Sequence, residues 1–294
     1  AVSPITAALP AIVHRAVYGT RHFLWVLDLW PEGVEVTGKL KFEFIRKSLY
    51  HIVRFIYSRS DRIYVSSRYM KNSILEKFDA PEHLEVIYLP NWAEDDFINT
   101  KIDKGKYKNI LPKGFKIMFA GNIGSGQDIP AILNLAKLLK NSDVKFIFLG
   151  DGSEKEYLLN KIKELDLSST IYYLGSYPVS EMIHFYYHAD MMLLTLRDEL
   201  IYSFTVPAKL QSYLASHKPV AAMINGEAAD IIKRSECGIV VDAGDFKSFK
   251  FKILDLITNS PSRLEHMKNN GFRYYENVFK KEKVINLFLE HIDQ

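Results

Sequence analysis

The segment AGNIGSGQDIP (120–130) sets glycines at 121, 124 and 126 between an apolar run and an amphipathic one. Glycine lets the backbone approach a ligand closely, and free amides at a helix start attract phosphate. The residues offered to such a ligand are Gly121, Asn122, Gly124, Ser125, Gly126 and Gln127. Their spacing is G-x-x-G-x-G rather than the dinucleotide pattern G-x-G-x-x-G, and no Gly-Lys-Ser/Thr follows, which excludes a P-loop. A second turn, Gly150-Asp151-Gly152, follows another apolar run, and a third, with Ser176 and Tyr177, follows a further one. Strand ends of this kind are where open parallel sheets bind ligands. Tyr177 suits stacking on a nucleobase as well as covering a sheet edge. The fourth feature is Tyr202-Ser203-Phe204-Thr205-Val206, whose amides come just ahead of a helix opened by Pro207, with Lys209 in its first turn. A cation beside a helix N-terminus is unfavourable by itself, so its placement there fits an anion such as a diphosphate. Each turn also reads as a plain strand–helix connection, and Lys209 as a solvated side chain.

Other chemistries lack their residues. No Cys/His cluster has ligand spacing and Asp-x-Asp is absent, so no metal site is expected; the scattered His leave a Ser-His-Asp triad open, although no Gly-x-Ser-x-Gly elbow occurs. The one cysteine, Cys237, sits in a turn entering a strand and makes no internal disulfide, which fits a reducing compartment. The 38 basic and 35 acidic residues leave a net charge of +3, too balanced for nucleic-acid binding by bulk charge. No run of eighteen apolar residues exists, so no transmembrane helix is expected. The opening AVSPITAALPAIVHRAV, broken by Pro4, Pro10, His14 and Arg15, is a poor signal peptide and reads as the middle of something longer.

The elements that must position these residues alternate between strand and helix. From Phe115, apolar runs at 115–120, 144–150, 171–175, 191–196, 219–224 and 238–242 alternate with amphipathic stretches at 128–140, 154–165, 180–190, 207–216 and 228–235. Asp128 is a helix N-cap with Pro130 in the first turn. That order predicts a parallel sheet covered on both faces. Before it, strands at 23–30, 62–67 and 84–90 and helices at 42–58 and 68–78 predict a smaller α/β domain. The polar, Lys-rich stretch 95–114 reads as an interdomain linker, and the tail 245–294 as helical in three pieces.

The order of these motifs, with LGDGSEKEYLLNKIKEL, IYYLGSYPVSEMIHFYYHADMMLLTL, VPAKLQSYLASHKPVAA and VIYLPNWAEDDF (86–97), resembles glycosyltransferase family 4 from about Ser3 onward. LDLWPEGV (27–34) resembles the subset that transfers N-acetylated amino sugars, such as N-acetylfucosamine, in bacterial surface polysaccharide synthesis, both lipopolysaccharide and capsule. The resemblance implies an α/β fold of the GT-B type, two Rossmann-like domains facing across a cleft with the first incomplete at its start. The implied division is 1–100 for the acceptor side, 101–272 for the nucleotide-sugar domain, and a carboxyl-terminal helix 273–294 returning to the first. It implies a retaining, metal-independent transferase that uses a UDP-sugar as substrate and no cofactor. The loop Gly121–Gln127 would face the donor phosphates, with Asn122 and Gln127 where basic residues are usual. The family's paired glutamates fall at Phe204 and Ser212, both replaced. Tyr202–Val206 would then contact sugar and diphosphate through the backbone, Lys209 would neutralise the leaving group, and Asp28 would reach the sugar from the first domain.

The acceptor implied is a glycan or a polyprenyl-linked one. The helix 39–58, with Lys39, Lys41, Arg46, Lys47, Arg54 and Arg59 among apolar residues, would offer peripheral contact with the inner face of the cell membrane in a cytoplasmic protein. A first-domain helix with a solvated face explains the same pattern. The rival readings are a nucleotide-sugar 2-epimerase of GT-B architecture and a catalytically incomplete relative or fragment.

Overall fold

A computed structural model describes residues 5–35, 43–78 and 84–292. The apolar runs pair into two separate parallel sheets, and the chain folds as two compact units.

The first unit takes Ala1–Asn91, Glu199–Val206 and Val284–Gln294. Its sheet has the order β1 (Phe23–Val26), β2 (Arg62–Val65), β3 (Glu85–Tyr88), with Phe23 opposite Arg62 and Arg62 opposite Glu85. Helices Leu9–Tyr18, Glu43–Ser58 and Arg68–Lys77 accompany it. Leu24, Val26, Ile63 and Val65 of the strands bury against Val53, Ile56 and Ile74 of the helices. Helix Arg68–Lys77 begins where Ser67, in extended conformation, accepts from the Met70 amide, a capping bond of about 1 kcal/mol.

The second unit takes Trp92–Asp198 and Pro207–Lys283. β4 (Phe115–Ala120), β5 (Val144–Leu149), β6 (Ile171–Tyr173), β7 (Met191–Thr195), β8 (Val220–Met223) and β9 (Gly238–Val241) form one sheet in the order β6-β5-β4-β7-β8-β9. The order reverses direction between β4 and β7, where a doubly wound sheet opens a crevice at its carboxyl edge. Every residue of β7 and β8 is buried, the pattern of strands covered on both faces. Asp128 caps helix Ile129–Leu138 by accepting from the Ala131 amide.

The division differs from the sequence expectation in particular places. The stretch 95–114 is part of the second unit rather than a free linker. It contains the short helix Asp96–Asn99, and Tyr107 stacks on Phe185 at 3.9 Å. The Asp103 amide donates to His184 Nδ1 at 3.1 Å, and Lys106 pairs with Glu181 at 2.5 Å. The units divide after Asn91 rather than near 100, and the return to the first unit starts at Val284 rather than 273. On that return Phe288 meets Tyr64 edge-on at 5.1 Å. The tail forms helices Phe246–Asn259, Arg263–Tyr274 and Lys281–Ile292, with a widened turn at Tyr275–Phe279.

Candidate functional site

β4 ends at Ala120 and the chain turns at Gly121, whose φ is +124°. β5 ends at Leu149 and turns through Gly150 and Gly152, at φ +132° and +155°. The two turns touch backbone to backbone. A Cβ on Gly150 would lie 1.9 Å from Gly121 O, and one on Gly152 would lie 2.4 Å from Ile123 O. Only glycine permits both the approach and the dihedrals. The contact is sealed by the Gly121 amide on Leu149 O (2.9 Å) and the Ile123 amide on Asp151 O (2.7 Å).

Helix Ala208–Ala215 supplies the cation. It starts after Pro207, and no side chain caps its first amides. Tyr213 is fully buried, and its hydroxyl meets the Ala120 amide at 3.3 Å and Leu193 O at 3.3 Å. This pins the helix against the end of β4 and the middle of β7. Lys209 lies one turn earlier on the same face. Its ammonium donates to Gln127 Oε1 at 2.6 Å and sits 3.8 Å from the centre of the Phe119 ring. Burial pushes this lysine down from 10.5 to about 7. The residue as a whole keeps some exposure, because it opens onto a cavity.

That cavity measures about 380 Å³. Gly121, Asn122, Gly150, Asp151, Lys209 and Ser212 line it, together with Ser176, Tyr177, Val179, Met182 and Tyr186. The Asp151 carboxylate accepts from the Gly152 amide and from Lys155, which holds it below the usual carboxylate range. Glycine backbone and a lysine beside aromatic and apolar side chains suit a phosphorylated ligand bearing an aromatic ring.

Eight of the residues named from sequence therefore share one cavity: Gly121, Asn122, Gly150, Asp151, Ser176, Tyr177, Lys209 and Ser212. Gln127 acts on it through Lys209. Gly124, Ser125, Gly126 and Gly152 shape the turns but are not in its lining. Tyr202–Val206 differ from expectation. Leu200–Phe204 is a helical turn in the first unit, where Ile201 and Phe204 pack against the core and Phe204 O accepts from Ser67 Oγ at 2.5 Å. The Tyr202 amide donates to Glu199 O and the Thr205 amide to Tyr202 O, so neither is held open for a diphosphate. Asp28 is exposed in the bend after β1, in the first unit, and is not in the cavity lining. Glu94 and Phe97, from the VIYLPNWAEDDF segment, also line the cavity; that end of the segment carries no periodic signal, and Phe97 stacking on Tyr186 at 5.4 Å is a purely tertiary contact. Among the described residues, no three His, Cys, Asp or Glu side chains gather as metal ligands would.

The family model described as glycosyl transferases group 1 matches residues 102–274. The probable glycosyltransferase WbjE of Pseudomonas aeruginosa is 32% identical over 225 residues, which cover 74% of this chain and 55% of WbjE. The capsular polysaccharide biosynthesis glycosyltransferase CapM of Staphylococcus aureus is 27% identical over 201 residues, 65% of this chain and 51% of CapM. The chain thus spans about half the length of the curated relatives it matches. Among solved structures, HepE of Anabaena in complex with UDP aligns with a TM-score of 0.76 at 13% identity, over 98% of this chain and 76% of that one. The fold is of the GT-B type.

Proposed function

The chain belongs to the group 1 glycosyl transferases, and from that premise we propose that it moves a sugar from a UDP-sugar to a glycan or polyprenyl-linked acceptor in bacterial polysaccharide synthesis. The observation that carries this reading is Lys209: a half-buried ammonium at the start of an uncapped helix, facing a cavity whose rim is glycine backbone. Burying an ammonium beside a neutral amide is costly unless an anion completes the site. A diphosphate does so. In the transfer the hard step is departure of the nucleoside diphosphate, and Lys209 with the helix amides would stabilise the charge growing on it. The acceptor hydroxyl then attacks the anomeric carbon from the face the leaving group vacates, its proton passing to the departing diphosphate, with retention and without a metal. The sugar is of the N-acetylated amino type, a reading supported by the LDLWPEGV segment. Ser176 and Tyr177 serve the nucleobase, and Asp28 belongs to the acceptor side.

The acceptor's setting follows from helix Glu43–Ser58. It leaves Phe44 at 68%, Phe55 at 45% and Ile52 at 40% exposure, with Arg46, Lys47 and Arg54 between them. This mixture supports peripheral contact with an anionic membrane surface from the cytoplasmic side. Lys39 and Lys41 lie outside the described residues, and no described helix is long and apolar enough to cross a membrane.

Calorimetry with UDP, GDP and NAD tests the donor assignment. UDP should bind and NAD should not; NAD binding in the absence of UDP binding overturns the reading. UDP binding with no sugar transfer to any glycan or polyprenyl acceptor would favour the catalytically incomplete alternative.

A further inference from the structure

The sequence places Gln127 in a phosphate-facing loop, but its side chain does something else. Its amide oxygen accepts from Lys209 Nζ at 2.6 Å. The backbone beneath it is fixed from β7 and the loop that follows. The buried Thr195 hydroxyl donates to Gln127 O at 2.6 Å, the Arg197 amide donates to Gly126 O at 3.0 Å, and the Gln127 amide itself donates to Gly124 O at 3.0 Å. The left-handed Asp128, at φ +50°, then turns the chain into its helix. Lys209 meets a wall on three sides: the Phe119 ring at 3.8 Å, Gln127, and Gly121, where an added Cβ would be 3.5 Å from Lys209 Cε. Its remaining side is the cavity.

We infer that Gln127 is a positioning residue that aims the Lys209 ammonium at the cavity while leaving its charge unneutralised, so that the diphosphate of the donor becomes its counter-ion. The inference rests on the donor reading above and deepens it. A glutamate has the same shape and would reach the same place. It would close a short ion pair with Lys209 and cancel the charge on which an incoming diphosphate depends. A neutral acceptor orients the ammonium without that cancellation. The ammonium is also held near its own titration, which a carboxylate neighbour would end.

The experiment compares wild type with Gln127→Glu and Gln127→Met in the full chain. UDP and uridine affinities are measured by calorimetry across a pH series, and Lys209 reactivity toward an acylating reagent is followed against pH by mass spectrometry. Gln127→Glu should weaken UDP about tenfold or more, the scale of one charged partner lost, and should leave uridine nearly unchanged. The same variant should move the Lys209 reactivity midpoint upward, with or without nucleotide. Gln127→Met, lacking an acceptor, should weaken UDP by a smaller factor with no upward move of that midpoint. Unchanged UDP affinity in Gln127→Glu, or equal losses for UDP and uridine, overturns the inference; so does a Lys209 midpoint that stays put. If wild type binds no nucleoside diphosphate, the donor reading falls and takes the counter-ion role with it. The acylation profile would still report the Gln127–Lys209 contact, so the two failures are told apart.

Discussion

The two units are built from the same strand–helix repeat, yet among the described residues the paired glycine turns at strand ends lie in the second. In the first unit, β2 runs into Ser66 and Ser67, and Ser67 spends its hydroxyl on the Met70 amide and on Phe204 O. The start of that helix is satisfied from within. In the second unit, β4 and β5 run into Gly121 and Gly150, both at positive φ, and the helix that brings Lys209 has no side chain on its first amides. The difference is local. A parallel sheet offers a carboxyl edge wherever it occurs, but the edge becomes a site only where loops lack side chains and donors are left for something else to take.

The sharpest way to break this contrast is Gly150→Val. The new Cβ would collide with Gly121 O and the residue would be held at φ +132°. We expect a loss of about 3 kcal/mol or more in stability and no measurable UDP binding in whatever remains folded. A folded variant that keeps wild-type UDP affinity by calorimetry would remove the glycine contact from the account. Next in size is Lys209→Met. UDP affinity should fall about a hundredfold, near 2.7 kcal/mol, with uridine changed less than about twofold. The same variant should melt higher than wild type below about pH 7, since it deletes a charge that burial disfavours. Equal losses for UDP and uridine would deny Lys209 its phosphate role.

The third test is the pH dependence itself. Lys209 is lowered from 10.5 to about 7 by burial, so the folded chain without ligand binds fewer protons than the unfolded chain between those values. In that window its contribution to stability rises with pH, and below about 7 the cost of the buried charge is fully present. A bound diphosphate reverses the preference by favouring the ammonium. UDP affinity should therefore fall above about pH 7, approaching tenfold per unit, with proton uptake by the lysine visible there as a buffer-dependent binding enthalpy, whereas below pH 7 the second ionisation of the terminal phosphate, at about 6, adds its own slope. A flat profile through pH 9, roughly two units above that value, contradicts the assignment. The smallest effect is the control in the first unit. Ser67→Ala should cost about 1 kcal/mol in urea unfolding and leave UDP binding untouched. A UDP defect there would mean the two units are not as independent in chemistry as their turns imply.

How much of this could be read from the chain follows from the range of the forces involved. The alternation of strands and helices in the second unit was legible because burial on both faces writes long apolar runs. The glycine turns and Lys209 were legible because backbone conformation and helix electrostatics act locally. The stretch 95–114 has the composition of a linker, but Tyr107 on Phe185 and Lys106 on Glu181 hold it in the second unit. Such contacts join residues more than seventy positions apart and leave no periodic trace. From sequence, Tyr202–Val206 suggest open amides because they precede Lys209. The clue against it was the i, i+3 pair Ile201 and Phe204, an apolar stripe on one turn that seeks a core. Glu94 and Phe97 leave no trace in the sequence for the same reason. The place of Gln127 in the loop was legible, but its role was not, since a glutamine's partner depends on which helix arrives beside it.

The first unit is made of three stretches of chain and the second of two, in alternation, so the polypeptide passes from one to the other four times. A single cut at any one passage leaves both halves joined by the remaining three. Neither half can be transplanted into another protein as one uninterrupted gene segment. A nicked molecule would therefore run as two bands under denaturing conditions and elute as one species under native ones.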